Sequence, residues 1–98
     1  EGYSAAAEVP LDIARRAAEL MELAREVTEI GNAAASSDGA CAAQALSAAV
    51  WCATYNVEIN AAALKDPAQT LRDEVSALRA HAEALLDATN VAFGARLG

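Results

Sequence analysis

Apolar residues recur at intervals of four and three in the first third of the chain, which predicts an amphipathic helix ending near Ile30. The stripe consists of Ile13, Ala17, Leu20, Ala24 and Val27. Arginine and glutamate cover the opposite side, and we interpret them as a solvated face with pairs three and four residues apart. Pro10 lies within the pattern, so we expect it to kink a helix that is already running. Gly31 is expected to end this helix as a left-handed cap.

The last third of the chain has the same periodicity, and it predicts a helix that reaches Phe93 before Gly94 loosens it. Its apolar stripe is Leu71, Val75, Leu78, Ala82, Leu85 and Thr89. Asp66, Pro67 and Gln69 form a start signal, with a cap, a proline at the first helical position and a capping box. Short polar connections at 32–37 and 64–66 join the segments, as in helical bundles. We therefore predict an all-α fold of three antiparallel helices.

The middle of the chain is unusual because the nineteen residues from Gly39 to Val57 carry no charge. Such a run is typical of a membrane span or of a helix buried on all sides. Alanine dominates it, and alanine gains little from hydrocarbon while allowing close approach of other helices. We therefore predict the central helix of a soluble assembly, from Asp38 to about Asn60. Its middle, at 45–49, should be more buried than the middles of the flanking helices.

Composition adds that the chain needs a partner. Twenty-eight of its 98 residues are alanine, so its core consists largely of small side chains. A domain of this size with such a core has a small free energy of unfolding. We expect self-association, as part of a larger and dimeric helical bundle, or association with a missing half of the fold. The net charge of −7 argues against nucleic acid and anionic membranes as partners, because no basic stripe is present.

The two cysteines, Cys41 and Cys52, are eleven residues apart on the predicted central helix, or about 16 Å. That distance exceeds the reach of a disulfide, and no ligand at metal-binding spacing is near them. We interpret them as buried packing thiols in a reducing compartment. This interpretation predicts a cytoplasmic protein, and no targeting signal is visible in the sequence.

Strong generic catalytic motifs are absent, so candidate chemistry depends on two polar clusters. His81, the sole histidine, has only apolar neighbours at helical spacing and is interpreted as a flank residue. The first cluster is Asn32, Ser36, Ser37 and Asp38, where a helix N-terminus would suit an anion. The alternative is that Ser37 or Asp38 simply caps the central helix.

The second cluster is Asn56 and Asn60, which lie four residues apart and share one helix face, with Lys65 beyond. Asparagine is unfavourable inside a helix, so these side chains need hydrogen-bond partners in a neighbouring loop, or a ligand. Asp38 and Asn60 are 22 residues apart, about 33 Å along a helix. Either one end is functional, or a second chain or a missing segment brings another group to each end.

Five short segments, in this order and spacing, resemble the cyclodeaminase/cyclohydrolase family of folate enzymes. They are Val9-Pro10-Leu11, Gly31-Asn32, Ser37-Asp38, Asn56-Val57-Glu58-Ile59-Asn60 and Leu64-Lys65-Asp66. The chain departs from the family at Glu58, where a basic residue is usual. Family members are also about twice as long, and the chain resembles their C-terminal half, without the Gly-rich loop of the first half.

The resemblance implies an all-α, dimeric protein that needs no metal and no tightly bound cofactor. Its substrate would be a tetrahydrofolate derivative, converted by formiminotetrahydrofolate cyclodeaminase or methenyltetrahydrofolate cyclohydrolase chemistry. Either reaction moves protons to and from nitrogen, and Asp38 is the best candidate for that role. Asn32 and Ser37 would position the substrate, and Asn56 and Asn60 would bind the pterin edge. The alternative is a helical oligomerisation or interaction module without chemistry.

Overall fold

The computed structural model describes residues 5–62 and 69–98. They form three helices: α1 is Ala5–Ile30, α2 is Ala33–Ala62 and α3 is Gln69–Arg96. No strand occurs in these two ranges, and the predicted all-α fold of three helices is confirmed. The molecule is an elongated rod with extents of 53 × 17 × 16 Å.

The direction of each helix follows from its side-chain contacts. Arg15 pairs with Glu74, and Glu22 lies 3.2 Å from His81. From the first pair to the second, the residue numbers increase on both helices, so α1 and α3 run parallel. Helix α2 runs the opposite way, because its late residue Val57 packs near the early residue Leu11 of α1. The topology is therefore up-down-up.

Two apolar clusters hold the rod together, one near the start of α1 and one near its middle. Their buried members come from all three helices, as the predicted stripes require. The first contains Leu11, Val57, Ala61, Leu71 and Val75. The second contains Ala17, Ala18, Met21, Val50, Ala82 and Leu85.

The turn between α1 and α2 is shorter than predicted, because α2 begins at Ala33 instead of Asp38. Asn32 caps it, with its Oδ1 accepting a hydrogen bond of 2.9 Å from the Ala35 amide. The predicted caps, Ser37 and Asp38, therefore lie inside the helix, in its second turn. Asn32, Ser36, Ser37 and Asp38 are all suitable N-cap residues. Asn32, the one nearest the end of α1, forms the cap of α2.

Gly31 is not the left-handed cap that the sequence predicted, since Gly98 is the one glycine with positive φ in the described ranges. A Cβ on Gly31 would lie 2.7 Å from both the Val27 carbonyl oxygen and the Ala35 side chain. Glycine is therefore needed here for space rather than for its backbone angle.

The other helix ends are close to their predicted positions. Pro10 lies inside α1, as expected of a helix already running. Gly94 does not loosen α3, which continues to Arg96. The predicted start signal at Asp66 and Pro67 falls outside the described residues.

The prediction that α2 is the most buried helix is wrong for the single chain. Ala45 and Ala48 are exposed, whereas Ala18 in α1 is 4% exposed and Ala82 in α3 is completely buried. Helices α1 and α3 pack against one side of α2 only, so among residues 5–62 and 69–98 no helix covers the opposite side. The uncharged run does not cross a membrane either: within the described ranges no helix has the length and hydropathy required.

Helices α1 and α2 approach each other closely where Gly39 meets α1. A Cβ on Gly39 would lie 2.3 Å from Thr28 Oγ1 and 2.9 Å from the Ala24 carbonyl oxygen. Thr28 Oγ1 donates to that carbonyl, and Ser36 Oγ donates to the Thr28 carbonyl, both within 2.9 Å. This contact sets the register of α1 against α2.

Gly39→Ala is expected to lower the free energy of unfolding by about 1–3 kcal/mol, because the added methyl forces the two helices apart. Gly94→Ala is the matched control, since no atom lies within 4 Å of its Cβ position. It should be neutral or stabilise by up to about 1 kcal/mol, as alanine favours a helix over glycine. Urea unfolding followed by circular dichroism measures both, and equal effects at the two positions would contradict the close contact.

Candidate functional site

Asp38 lies on an open groove between α1 and α2, with a volume of about 300 Å³. The rest of the lining is apolar or glycine: Leu20, Leu23, Ala24, Val27, Gly39, Ala42 and Leu46. Gly39 brings the helices close, and Asp38 is the residue immediately before it, so the same contact places the carboxylate at the groove. A single carboxylate among apolar side chains can hold one polar group of a ligand beside a flat apolar body.

Ser37 does not share this groove with Asp38. It lines a second groove of about 240 Å³ between α2 and α3, together with Cys41, Asn90 and Phe93 among others. Successive residues of a helix point about 100° apart, so Ser37 and Asp38 belong to opposite flanks of α2. The first predicted cluster is therefore divided between two grooves.

The remaining members of that cluster have structural roles. Asn32 caps α2 through its side-chain oxygen, and Ser36 is fully buried with its hydroxyl bonded to α1. The argument for an anion at the helix N-terminus therefore does not apply to Ser37 and Asp38, which lie beyond the first turn.

Asn56 and Asn60 lie near the other end of α2, Asn56 exposed and Asn60 half-buried. The continuous helix puts Asn56 eighteen residues from Asp38, about 27 Å away. One chain thus keeps the two predicted clusters apart, as the sequence indicated. Lys65, predicted beside the second cluster, is outside the described residues.

The structure reveals a further cluster around Arg79 of α3, which sequence reasoning missed. Its guanidinium bonds Glu58 through both Nη atoms, at 3.1 and 3.0 Å, and donates from Nε to Thr54 Oγ1 at 2.9 Å. The same group stacks on Trp51, 4.5 Å from the ring centroid, and on Tyr55 at 5.2 Å. The sequence did contain a signal for this cluster. The α2 residues that contact Arg79 are spaced three and four apart, which puts them on one helix face: Trp51, Thr54, Tyr55 and Glu58.

Glu58 stands where a basic residue is usual in the family that the sequence resembles, and its partner explains its ionisation. The hydrogen bonds from Arg79 lower the pKa of Glu58, and the guanidinium charge adds to this effect. Position 58 therefore holds a carboxylate paired to α3, which disfavours an anionic ligand at this point.

Two other sequence interpretations are revised. His81 does have a polar neighbour, Glu22, but it belongs to α1 and could not be found from the spacing within α3. Cys41 and Cys52 are exposed instead of buried, and both are free thiols. Within the described ranges, no three His, Cys, Asp or Glu side chains converge as a metal site.

The fold and groove define an all-α helical domain with one carboxylate on an apolar surface. Comparison with protein families matches residues 1–77 to the formiminotransferase-cyclodeaminase family. The chain belongs to that family, which confirms the predicted resemblance. The matched segment includes Asn32, Asp38, Asn56 and Asn60 but ends before Arg79. Searches of curated proteins and of solved structures returned no match.

Arg79→Lys is expected to destabilise the protein by about 1 kcal/mol, since lysine keeps the charge but loses the bidentate and stacked geometry. Arg72→Lys, at an exposed position of the same helix, should stay within about 0.5 kcal/mol of the parent. Trp51 is the sole tryptophan, so its fluorescence should change on the first substitution and not on the second. Unchanged fluorescence and stability in Arg79→Lys would contradict the cluster.

The lowered pKa of Glu58 also predicts a pH dependence. A carboxyl whose pKa is depressed on folding contributes stability above its unfolded pKa, and that contribution is lost as pH falls through the folded value. Glu58→Gln should therefore be less stable than the parent at neutral pH, by less than about 1 kcal/mol for so exposed a pair. The difference should shrink as pH falls below the ordinary glutamate value of 4.5 and vanish once pH has passed the lowered pKa of Glu58. Thermal unfolding from pH 3 to 7 measures it, and a constant difference would exclude the ion pair as its source.

Proposed function

We propose that this chain takes part in folate one-carbon chemistry, as a formiminotetrahydrofolate cyclodeaminase or a methenyltetrahydrofolate cyclohydrolase. Membership of the family supports the substrate class. The observation that carries the proposal is Asp38, a carboxylate on an apolar groove within the matched segment. Folate has a flat ring system with polar edges, which suits an apolar wall with a few polar groups.

In the cyclodeaminase reaction, N10 of N5-formiminotetrahydrofolate attacks the formimino carbon and closes a ring. Asp38 takes the proton that N10 loses, and it returns a proton to the amine nitrogen, which leaves as ammonia. In the cyclohydrolase reaction, water attacks the methenyl carbon and Asp38 accepts a proton from it. The bond from that carbon to N5 then breaks, N5 takes up a proton, and the carbon remains on N10 as a formyl group. One carboxylate thus serves either reaction without a tightly bound cofactor.

About 27 Å separates Asn56 from Asp38 within one chain, so Asn56 and Asn60 would orient a substrate at Asp38 from a second chain or a missing segment. Asn56 and Asn60 offer amide donors and acceptors that match the edge of a pterin ring. Ser37 lies on the opposite flank of α2, in the groove with α3, and Asn32 supports the start of that helix. We place this chemistry in the cytoplasm, because Cys41 and Cys52 are free thiols as a reducing compartment favours.

Asp38→Asn should lower turnover about 100-fold or more, the usual scale for losing a general acid or base. Stability should change little, because Asp38 is exposed and the two residues have similar helix propensities. Asp87→Asn is the matched control, an exposed aspartate of α3, and should keep normal turnover. The rate is followed by the absorbance of methenyltetrahydrofolate, in the protein that contains this chain.

The two reactions are separated by offering N5-formiminotetrahydrofolate and methenyltetrahydrofolate in parallel. Release of ammonia with the first substrate would identify the cyclodeaminase. Near-normal turnover of a folded Asp38→Asn variant would remove Asp38 from the chemistry and leave Asn56 and Asn60 as the better site. Absence of both turnover and folate binding in the parent would contradict the proposal.

A second candidate function, a helical interaction module, is favoured by a specific observation. The exposed side of α2 carries no charge between Gly39 and Val57, and Leu20 and Leu23 of α1 beside it are 52% and 56% exposed. So large an uncharged surface is typical of a contact with another helix. This function would require association without folate binding.

A further inference from the structure

We propose that the groove between α2 and α3 binds the p-aminobenzoyl amide of the substrate, while the pterin ring of the same molecule lies on the groove of Asp38. The substrate then crosses α2, with its N10 atom beside Asp38 at the edge that the two grooves share. The identity of the ligand rests on the proposed function. The inference adds to that function a second groove, which holds the other half of the ligand.

The α2–α3 groove has a neutral lining, although the chain as a whole has a net charge of −7. Each of three other grooves on the described surface has at least one carboxylate in its lining. A lining without charge favours a neutral group of a ligand over a cation or an anion. None of the residues that line the α2–α3 groove is charged: Ser37, Ala40, Cys41, Gln44, Asn90 and Phe93.

Primary amides lie on both walls of this groove, Gln44 on α2 and Asn90 on α3. Within the described ranges neither amide is bonded to another protein group, so both are free to bind a ligand. Each offers two N–H donors and a carbonyl acceptor. A trans secondary amide has its N–H and its carbonyl on opposite sides, so it can bond to both walls at once.

Phe93 gives the same groove an aromatic wall, and its side chain is half-buried near the end of α3. Aromatic rings attract one another in offset-stacked or edge-to-face arrangements, beyond the effect of the area that they bury. The p-aminobenzoyl group is a flat, neutral ring that carries a secondary amide. It therefore fits beside Phe93 with its amide between Gln44 and Asn90.

The α2–α3 groove and the groove of Asp38 adjoin along α2. Ser37 lines the first groove and Asp38 the second, and one turn later Cys41 and Ala42 are divided in the same way. Adjacent Cα atoms are about 3.8 Å apart, so only the backbone of one helix separates the two grooves. A ligand with two ring systems joined by a short flexible link can therefore occupy both.

This placement brings the reacting atoms to the carboxylate. N10 joins the methylene of the pterin to the benzoyl ring, so it lies at the crossing point when each ring occupies its own groove. Asp38 can then take the proton that N10 loses on ring closure. The glutamate carboxylates at the far end of the substrate extend into solvent, because the lining of the α2–α3 groove offers them no cation.

Alkylation of Cys41 measures whether the α2–α3 groove is occupied. Both cysteines are exposed free thiols, but only Cys41 is part of this lining, so Cys52 is the internal control. At ten times its Kd, methenyltetrahydrofolate should slow the reaction of Cys41 with iodoacetamide about 10-fold, since only the unoccupied fraction reacts. The rate at Cys52 should not change. Peptide mass spectrometry of the protein that contains this chain measures both rates.

Fragments of the substrate test which ring occupies which groove. p-Aminobenzoylglutamate should protect Cys41, and a tetrahydropterin without the benzoyl amide should not. The reverse pattern would overturn the assignment of the rings. Turnover by the parent protein with Cys41 unprotected by methenyltetrahydrofolate would overturn the placement and leave the proposed function intact. No turnover of either folate substrate would overturn the proposed function, and this inference with it.

Asn90→Ala should raise KM about 3- to 10-fold, the scale of one lost hydrogen bond. It should change kcat little, because Asn90 binds the substrate away from the reacting atoms. Val91→Ala is the matched control, since Val91 is 74% exposed and is not part of the groove lining, and it should leave both constants unchanged. A lower kcat at unchanged KM in Asn90→Ala, or equal effects of the two substitutions, would contradict the binding role of Asn90.

Discussion

The close approach of α1 and α2 at Gly39 is the constraint on which the rest of the structure depends. With no side chain at that position, Thr28 and the Ala24 carbonyl reach the backbone of α2. The hydrogen bond from Ser36 to Thr28 fastens the same contact. This register places Asp38 over the groove between the helices. It also turns the side of α2 that carries Cys41 and Cys52 away from α1, so one glycine sets both the site and the free surface.

The number, type and approximate extent of the helices were predictable, because the apolar stripes of α1 and α3 repeat over several turns. The start of α2 was not, since Asn32, Ser36, Ser37 and Asp38 are all good caps in sequence. A tertiary contact determines which of them is the cap. Ser36 lies inside α2, where its hydroxyl donates a hydrogen bond to the Thr28 carbonyl of α1. That contact joins residues eight apart in sequence on two different helices, so local helix propensities could not predict it.

The uncharged run of α2 shows why polarity alone did not predict burial. Absence of charge indicates that a helix is kept from water in its final state, and the single chain can cover only one side of it. The buried positions of α2, from Ser36 to Ala61, form one stripe, whereas Ala45 and Ala48 lie outside it. The fold of the described residues therefore does not account for the lack of charge on the second side.

The Arg79 cluster bears on which end of α2 holds the chemistry. A carboxylate at position 58, in place of the usual basic residue, would by itself suggest a lost anion contact. Here Glu58 is bonded to Arg79, whose remaining surface is covered by Trp51 and Tyr55, so its charge is committed within the bundle. The carboxylate at Asp38 is instead exposed on a groove with apolar walls. Among the described residues, the end with Asp38 keeps an ionisable group available to a ligand, and Asn56 and Asn60 at the other end supply neutral hydrogen-bonding groups.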